Sequence, residues 1–286
     1  MKEKFIVDFQ VIGTCNMTCN FCDGAPKSMK GENSEDVITT IQKLVDVGLD
    51  TLVISGGEPL LRKDIVDIIR FSHSKGLEVY LSTNGLLLPP VYSLIKDYIV
   101  CIGLPLDGSS REMHKLMTRN PRQYDATVGM LEYFIPHAPQ HIVKVGTVVS
   151  QVNKQDLGNI ANILFNRPHL YHPDAWRLYQ FSPLGDGLFT RHTHWVDDAE
   201  FREITEELIR RYPKKNITTL TNSGSDDAYI FINPNLEIEL LTGGVYKVIG
   251  DMKAISRKRL LEIKKDIMAT RKRSDANREW MRRKNG

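Results

Sequence analysis

The sequence predicts an α/β fold, an incomplete barrel of βα units followed by a small α+β extension. Three observations carry this reading. Short Val- and Ile-rich runs alternate with longer segments of helical period, as strands of a parallel sheet alternate with crossover helices. Six such units are complete by about residue 185, which makes a partial (β/α)6 barrel of the TIM type rather than the full eight. Beyond that point the pattern shifts to a helix and an alternating hairpin. At 286 residues the chain can bury a sizeable core without disulfide staples.

Strands are expected at Phe5–Val11, Thr51–Ser55, Glu78–Thr83, Val100–Leu106, Lys144–Val149 and Trp176–Phe181. The first helix takes Ser34 as N-cap, carries Glu35 and Asp36 in its first turn, repeats apolar residues at Val37, Ile41, Leu44 and Val45, and closes at Gly48. A second helix runs from about Asp64 to Lys75 and ends at Gly76, a third covers Tyr124–Phe134 and a fourth Leu157–Phe165. Residues 1–185 form the barrel on this reading, and residues 186–286 the extension. In the extension Asp197–Tyr212 reads as a helix, and AYIFINPNLEIEL as two antiparallel strands joined at Asn233-Pro234-Asn235.

The formal net charge is +3, with Lys and Arg concentrated between Arg257 and Lys284, a stretch that reads as a solvated amphipathic helix. Contact with nucleic acid is not expected. The N-terminus lacks the apolar core and cleavage site of a secretory signal, and no apolar run approaches the roughly 20 residues that span a bilayer. A soluble, cytoplasmic chain is expected, in which clustered cysteines bind metal or do chemistry more often than they pair.

Three of the four cysteines, Cys15, Cys19 and Cys22, fall within GTCNMTCNFCDG, while Cys101 lies far downstream in the apolar run YIVCIGLPL. A structural zinc site needs four closed ligands, and no second cluster supplies the fourth. Cys101 reads as a small hydrophobe in a strand. The remaining reading is an iron–sulfur cluster: a cubane has four irons, so three thiolates leave one iron open to an outside ligand. The loop after the first strand, at the C-terminal mouth of a parallel barrel, is where active sites are built.

CNMTCNFC resembles the CxxxCxxC signature of the radical S-adenosylmethionine (SAM) superfamily, including the aromatic Phe21 before the last cysteine. After the second strand, Gly56-Gly57-Glu58-Pro59 is similar to the family's GGEP motif. The resemblance covers roughly residues 5–190. It implies a [4Fe-4S] cluster on Cys15, Cys19 and Cys22, and SAM held at Phe21, Gly56, Gly57, Glu58 and Pro59. It further implies SAM contacts from Ser82 and Asn84 after the third strand, from Asp107 and Arg119 after the fourth, from Ser150 and Asn153 after the fifth, and from Leu184 after the sixth. Read from the residues alone, Asn84-Gly85 is equally an Asx-type turn, and Asp107 and Arg119 equally a helix cap and a surface ion pair. By resemblance, SAM is cleaved to methionine and a 5′-deoxyadenosyl radical that abstracts hydrogen from substrate, with an electron from a donor such as flavodoxin or ferredoxin.

No cysteine follows Cys101, so auxiliary clusters in the extension are excluded. The extension resembles a cysteine-free SPASM/twitch-like module, as in viperin-like enzymes. Two departures stand against that likeness: Asp23 replaces an aromatic residue, and no set of basic residues in the middle of the barrel stands out for a triphosphate. The substrate expected is a small polar metabolite, nucleotide or sugar-like molecule, with a ribosomally made peptide as the alternative; a non-catalytic metal-binding scaffold is the alternative outside enzymology. Tyr179 and Tyr229 are candidates to relay hydrogen atoms or are core residues. Thr218–Asp227 reads as a lid or a surface loop, Thr242-Gly243-Gly244 as an anion contact or a turn, and His192 and His194 as members of an exposed loop before a helix.

Overall fold

The computed structural model describes residues 4–19, 21–24, 26–117, 120–225 and 229–271. Its elements run β1 (Ile6–Gln10), α1 (Ser34–Asp46), β2 (Thr51–Ser55), a 3-10 turn at Pro59–Leu61, α2 (Ile65–Ser74), β3 (Glu78–Ser82), α3 (Leu88–Ile95), β4 (Cys101–Pro105), α4 (Arg111–Leu116), α5 (Pro121–His137), β5 (Ile142–Val149), a 3-10 turn at Lys154–Asp156 and α6 (Leu157–Asn166). They continue with β6 (Ala175–Gln180), α7 (Gly187–His194), α8 (Asp198–Arg211), β7 (Ile217–Leu220), α9 (Asn222–Ser225), β8 (Ile230–Ile232), β9 (Glu237–Thr242), β10 (Val245–Asp251) and α10 (Arg257–Arg271).

One sheet of ten strands holds them in the order β10-β9-β8-β1-β2-β3-β4-β5-β6-β7. Strands β1 to β7 pair in parallel, each with its sequence neighbours. β8 joins in parallel on the free flank of β1, and β9 and β10 follow antiparallel. The sheet is not closed, so this is an open, partial barrel. The sequence reading stops the parallel run at β6; the structure adds β7 within the stretch read as a lid. Its polar threonines conceal it, since Ile217 and Leu220 are its only large apolar residues. Asp226 and Asp227, at the end of that stretch, lie outside the described residues. Strands from both sides of residue 185 share this one sheet.

Period-2 alternation sorts the side chains. Val7 and Phe9 on β1, Val143 and Val145 on β5, and Trp176 and Leu178 on β6 face the helices and are fully buried in the main core. Trp176 donates its indole N–H to Thr147 Oγ1 (2.9 Å) and meets Phe165 of α6 edge to face, so its polar atom is satisfied inside the layer. The intervening residues, Asp8, Lys144, Arg177 and Tyr179 among them, point into the lumen.

Local chemistry differs from expectation at several places. The N-cap of α1 is Asn33, whose Oδ1 accepts from Asp36 N (3.0 Å), while Ser34 donates to Asp64. Gly243 and Gly244, with φ of 59° and 72°, form the two-residue turn between β9 and β10; two positive φ values suit a tight hairpin turn. α7 occupies the stretch read as an exposed loop, and within it His194 is 3% exposed. The basic stretch from Arg257 is the amphipathic helix expected as far as residue 271, with most of its basic residues exposed and one apolar face docked. Leu260, Ile263 and Ile267 are buried on one face of α10. Lys264 Nζ donates to the carbonyls of Val47 (2.7 Å) and Gly48 (2.8 Å) at the end of α1, where a helix terminus favours a cation.

The docking of α10 is testable. Ile263→Ala removes a side chain that is 3% exposed and is expected to cost about 2–4 kcal/mol in urea unfolding. A loss below about 0.5 kcal/mol, as at a surface position, would show that α10 is not packed on the barrel.

Candidate active site

The cysteine loop leaves the C-terminal end of β1 and folds back over the barrel mouth. Cys15 and Cys22 are half-buried and Cys19 is buried. Two backbone N–H groups approach the sulfurs: Met17 N lies 3.4 Å from Cys15 Sγ, and Gly24 N 3.4 Å from Cys22 Sγ, contacts that favour thiolate over thiol. Burial pushes the Cys15 thiol up against this, a cost that a cation-bearing cluster removes. Met17, Cys19, Phe21, Met117 and Phe181 form a separate small core, with Cys15 and Cys22 packed on it. Phe21 stacks on the imidazole of His194, ring centroids 5.8 Å apart, and Phe181 lies against the same ring at 5.4 Å. His194 is thus a wall of the cysteine loop, and burial holds its pKa below the usual value.

The glycines of the GGEP segment are required by the cysteine loop. A Cβ on Gly56, whose φ is 143°, would lie 2.2 Å from Ile12 O, and one on Gly57 2.2 Å from Gly13 O. Contact this close is possible only without side chains. It lets Gly57 N donate to Ile12 O (2.6 Å) and Glu58 N to Thr14 O (3.0 Å). Glu58 is fully buried, and its carboxylate accepts from Leu60 N (3.1 Å), Thr83 Oγ1 (2.7 Å) and Asn84 N (2.8 Å). The Glu58 carboxylate is therefore largely committed to joining the loops after β2 and β3. Pro59 opens the 3-10 turn beside it and is buried.

Asn84 forms the Asx turn, its Oδ1 accepting from Leu86 N (3.0 Å), and its Nδ2 donates to Asn16 Oδ1 (2.7 Å) in the cysteine loop. Ser82 ends β3 and lines the lumen. Asp107, Ser150 and Asn153 close on one another. Asn153 Nδ2 donates to the carbonyls of Asp107 (2.9 Å) and Val148 (2.8 Å), its Oδ1 accepts from Ser150 N (2.8 Å), and Asp107 Oδ1 accepts from Val148 N (2.7 Å). They brace the ends of β4 and β5 behind the mouth, a positioning role. Leu184 sits in the loop after β6, which docks on the cysteine loop through Asp186 N donating to Cys22 O (3.0 Å). Arg119 lies outside the described residues.

This donor set fits a cubane cluster. Cys15, Cys19 and Cys22 lie in one loop as free thiols, with backbone N–H groups on two of the sulfurs, and in a cluster each thiolate binds a different iron. When present, the cluster would be held by Cys15, Cys19 and Cys22, and SAM by residues beside them such as the backbone of the Gly56–Glu58 segment and Ser82.

Below the mouth lies a lumen of about 440 Å³ whose lining includes Cys22, Gly24 and Gly56. Sequence reading missed its charged residues. Lys144 donates to Tyr179 Oη (3.3 Å), Arg177 to Tyr229 Oη (3.4 Å), and the Arg177 guanidinium lies 5.5 Å from the centre of the Tyr179 ring. Asp8 on β1 accepts from Ser55 Oγ. Middle-barrel basic residues are therefore present. Their signal was alternation: Lys144 and Arg177 stand on the face of β5 and β6 opposite Val143, Val145, Trp176 and Leu178. Cys101 also lines the lumen rather than the helix-packed core. Burial opposes ionisation of Tyr179, but Lys144 and Arg177 outweigh it and hold its pKa below the ordinary phenol value.

Burial pushes the Asp8 carboxyl up to about 6 from 3.8, against the lowering effects of Ser55 and Lys144. Ionising it costs native-state stability: the penalty is absent below about pH 4, grows between about 4 and 6, and is complete above. Asp8→Asn is expected to raise stability at pH 8 by on the order of 1–2 kcal/mol, allowing for water in the lumen, and to leave it nearly unchanged at pH 4. Denaturant unfolding at the two pH values measures this; a pH-independent difference would contradict the burial of Asp8.

Residues 9–164 match the family model of the Radical SAM superfamily. The chain is 29% identical over 157 residues to the AdoMet-dependent heme synthase of Methanosarcina barkeri (strain Fusaro / DSM 804), which covers 53% of this chain and 44% of the relative. It is 22% identical over 241 residues to the S-adenosylmethionine-dependent nucleotide dehydratase of Flammeovirga pacifica, covering 80% of this chain and 79% of that one. Among solved structures, Streptococcus suis SuiB bound to the precursor peptide SuiA matches with a TM-score of 0.72 at 16% identity, over 94% of this chain and 66% of SuiB, a likeness of fold. The chain thus spans less than half the length of the heme synthase and about two thirds of SuiB. Since the family model takes in more than half of the chain and the whole cysteine loop, this protein belongs to the radical SAM superfamily, an enzyme whose cofactors are S-adenosylmethionine and a [4Fe-4S] cluster.

Proposed function

We propose that this enzyme abstracts a hydrogen atom from a small polar molecule held inside the barrel. The observation that carries the reading is the lumen itself, about 440 Å³ with charged and phenolic side chains on its walls, reaching the cysteine loop at its mouth. That volume is in the range of small-molecule sites. The cofactors, when bound, supply a 5′-deoxyadenosyl radical at the mouth. The chain's own part is to orient the substrate beneath it and to exclude water. Phe21, His194 and Phe181 shield the cysteine loop, Glu58 and Asn84 tie its neighbouring loops in place, and Tyr179 and Tyr229 are the side chains placed to pass a hydrogen atom on. The electron comes from a small one-electron carrier such as flavodoxin or ferredoxin. Among the described residues no helix is long and apolar enough to cross a membrane.

A peptide substrate is the second reading. It is favoured by β10, which ends the sheet with Val245 51% and Val248 56% exposed, an edge on which an extended chain could add as a strand.

Anaerobic reconstitution followed by reduction in the presence of SAM is expected to release 5′-deoxyadenosine. Cys15→Ala, Cys19→Ala and Cys22→Ala should each abolish it, while Cys101→Ala should leave cluster iron unchanged. Stoichiometric zinc without iron, or an intact cluster that never cleaves SAM, would overturn the enzymatic reading. For the choice of substrate, a β10 variant with Val248→Pro is expected to turn over normally if the substrate is small, and to lose turnover if a peptide pairs with the edge.

A further inference from the structure

The lumen is polarised in a way that SAM chemistry alone does not require. Its β5–β6 wall carries Lys144 and Arg177, and its β1 side carries Asp8, with Asp23 of the cysteine loop also in the lining. Burying an ammonium or a guanidinium costs several kcal/mol before partners are counted. Hydrogen bonds to Tyr179 and Tyr229, at 3.3 Å and 3.4 Å, fix both cations on that wall. Asp8 stands on the β1 side of the same cavity, where it accepts from Ser55 Oγ, and burial pushes its carboxyl up despite the lowering effect of Lys144. Space is also kept for this arrangement. A Cβ on Gly103 would lie 3.3 Å from Lys144 Cε, and one on Gly146 3.1 Å from Tyr179 Cε2, so both glycines leave room for the side chains that form the basic wall. Tyr80, Phe231 and Tyr246 complete the lining with aromatic surface.

We propose that the lumen is a dipolar substrate site, which takes a small molecule by an anionic group, carboxylate or phosphate, at Lys144 and Arg177 and by an ammonium or other N–H group at Asp8. The inference rests on the lumen being the substrate chamber of the proposed function. Separated opposite charges in a cavity of low dielectric favour a ligand whose own charges are separated in the opposite sense. The guanidinium suits the planar fork of a carboxylate or the oxygens of a phosphate, and the lysine adds a point charge beside it. A purely cationic ligand meets two like charges on one wall, and a purely anionic one leaves Asp8 buried against it.

The test uses the full-length chain without cluster or SAM, so binding is read apart from radical chemistry. Thermal shift and calorimetry are run with matched probes: L-tyrosine and L-glutamate for the carboxylate arm, AMP and CMP for the phosphate arm. Tyramine, 3-(4-hydroxyphenyl)propionate, glutarate, adenosine and cytidine serve as counterparts lacking one pole. At least one dipolar probe is expected to bind, with a tenfold or greater loss when either pole is removed. Lys144→Met and Arg177→Met are expected to lose tenfold or more for that probe. Asp8→Asn should weaken it while binding its amine-free counterpart as well as or better than the wild type does. Lys144→Gln and Arg177→Gln serve where a Met variant does not fold. Binding by none of the dipolar probes, equal binding of one-pole counterparts, or unchanged affinity in all variants overturns the proposal. A wild-type protein that binds the dipolar probe but releases no 5′-deoxyadenosine after reconstitution overturns the radical reading and not this one.

Discussion

The site depends on one backbone contact, the stitch between the cysteine loop and the turn after β2. Gly57 N to Ile12 O at 2.6 Å and Glu58 N to Thr14 O at 3.0 Å bring two loops together that sequence separates by more than 40 residues. Neither bond forms if a Cβ intervenes, because its place is already filled by the Ile12 and Gly13 carbonyls. The two glycines thus serve loop-to-loop packing first, and whatever ligand lies above them meets a surface whose shape that packing has set.

From the stitch the constraint spreads around the rim by side chains rather than by backbone. Glu58 carries it to β3 through Thr83 and Asn84, and Asn84 returns it to the cysteine loop at Asn16. Asn153 makes the same kind of closed circuit between the ends of β4 and β5. Polar groups buried without water must satisfy each other. The rim is therefore stiff by the chemistry of its own residues, as a site that must hold a cofactor at fixed geometry requires.

Strand and helix order was legible because hydrophobic period survives in isolated sequence: Val7 and Phe9 alternate, Val37, Ile41 and Leu44 recur on one face. The cysteine loop was legible because thiol spacing is itself chemistry. What sequence hid was direction. Asp107, Ser150 and Asn153 stand at strand ends as anticipated, and the side chains of Asp107 and Asn153 bond backbone groups at the ends of β4 and β5, which only the partner strand decides. β7 was hidden by its threonines, and His194 by its polar neighbours, since burial against Phe21 and Phe181 comes from elements far away in the chain. Lys144 and Arg177 were readable in principle. Both stand at the alternate positions of β5 and β6, on the face that the buried apolar residues leave to the lumen.

That last point bears on why the lumen retains its charges at all. An apolar filling of the same space would stabilise the barrel, since replacing buried ions by hydrophobic residues is neutral or favourable in most proteins. Layers of branched side chains are the usual content of a parallel barrel. Here glycines at 103 and 146 stand where large residues would fill the layer, and the room goes to a lysine and a tyrosine. The Asp8 carboxyl is held in its less favoured environment on the other side. A sequence that gives up packing at two positions to keep charged groups around an open lumen forgoes stability that a bound molecule can restore. Binding that is selective for the folded state does recover it, by mass action. The same groups that weaken the empty barrel are then the ones that choose what fills it.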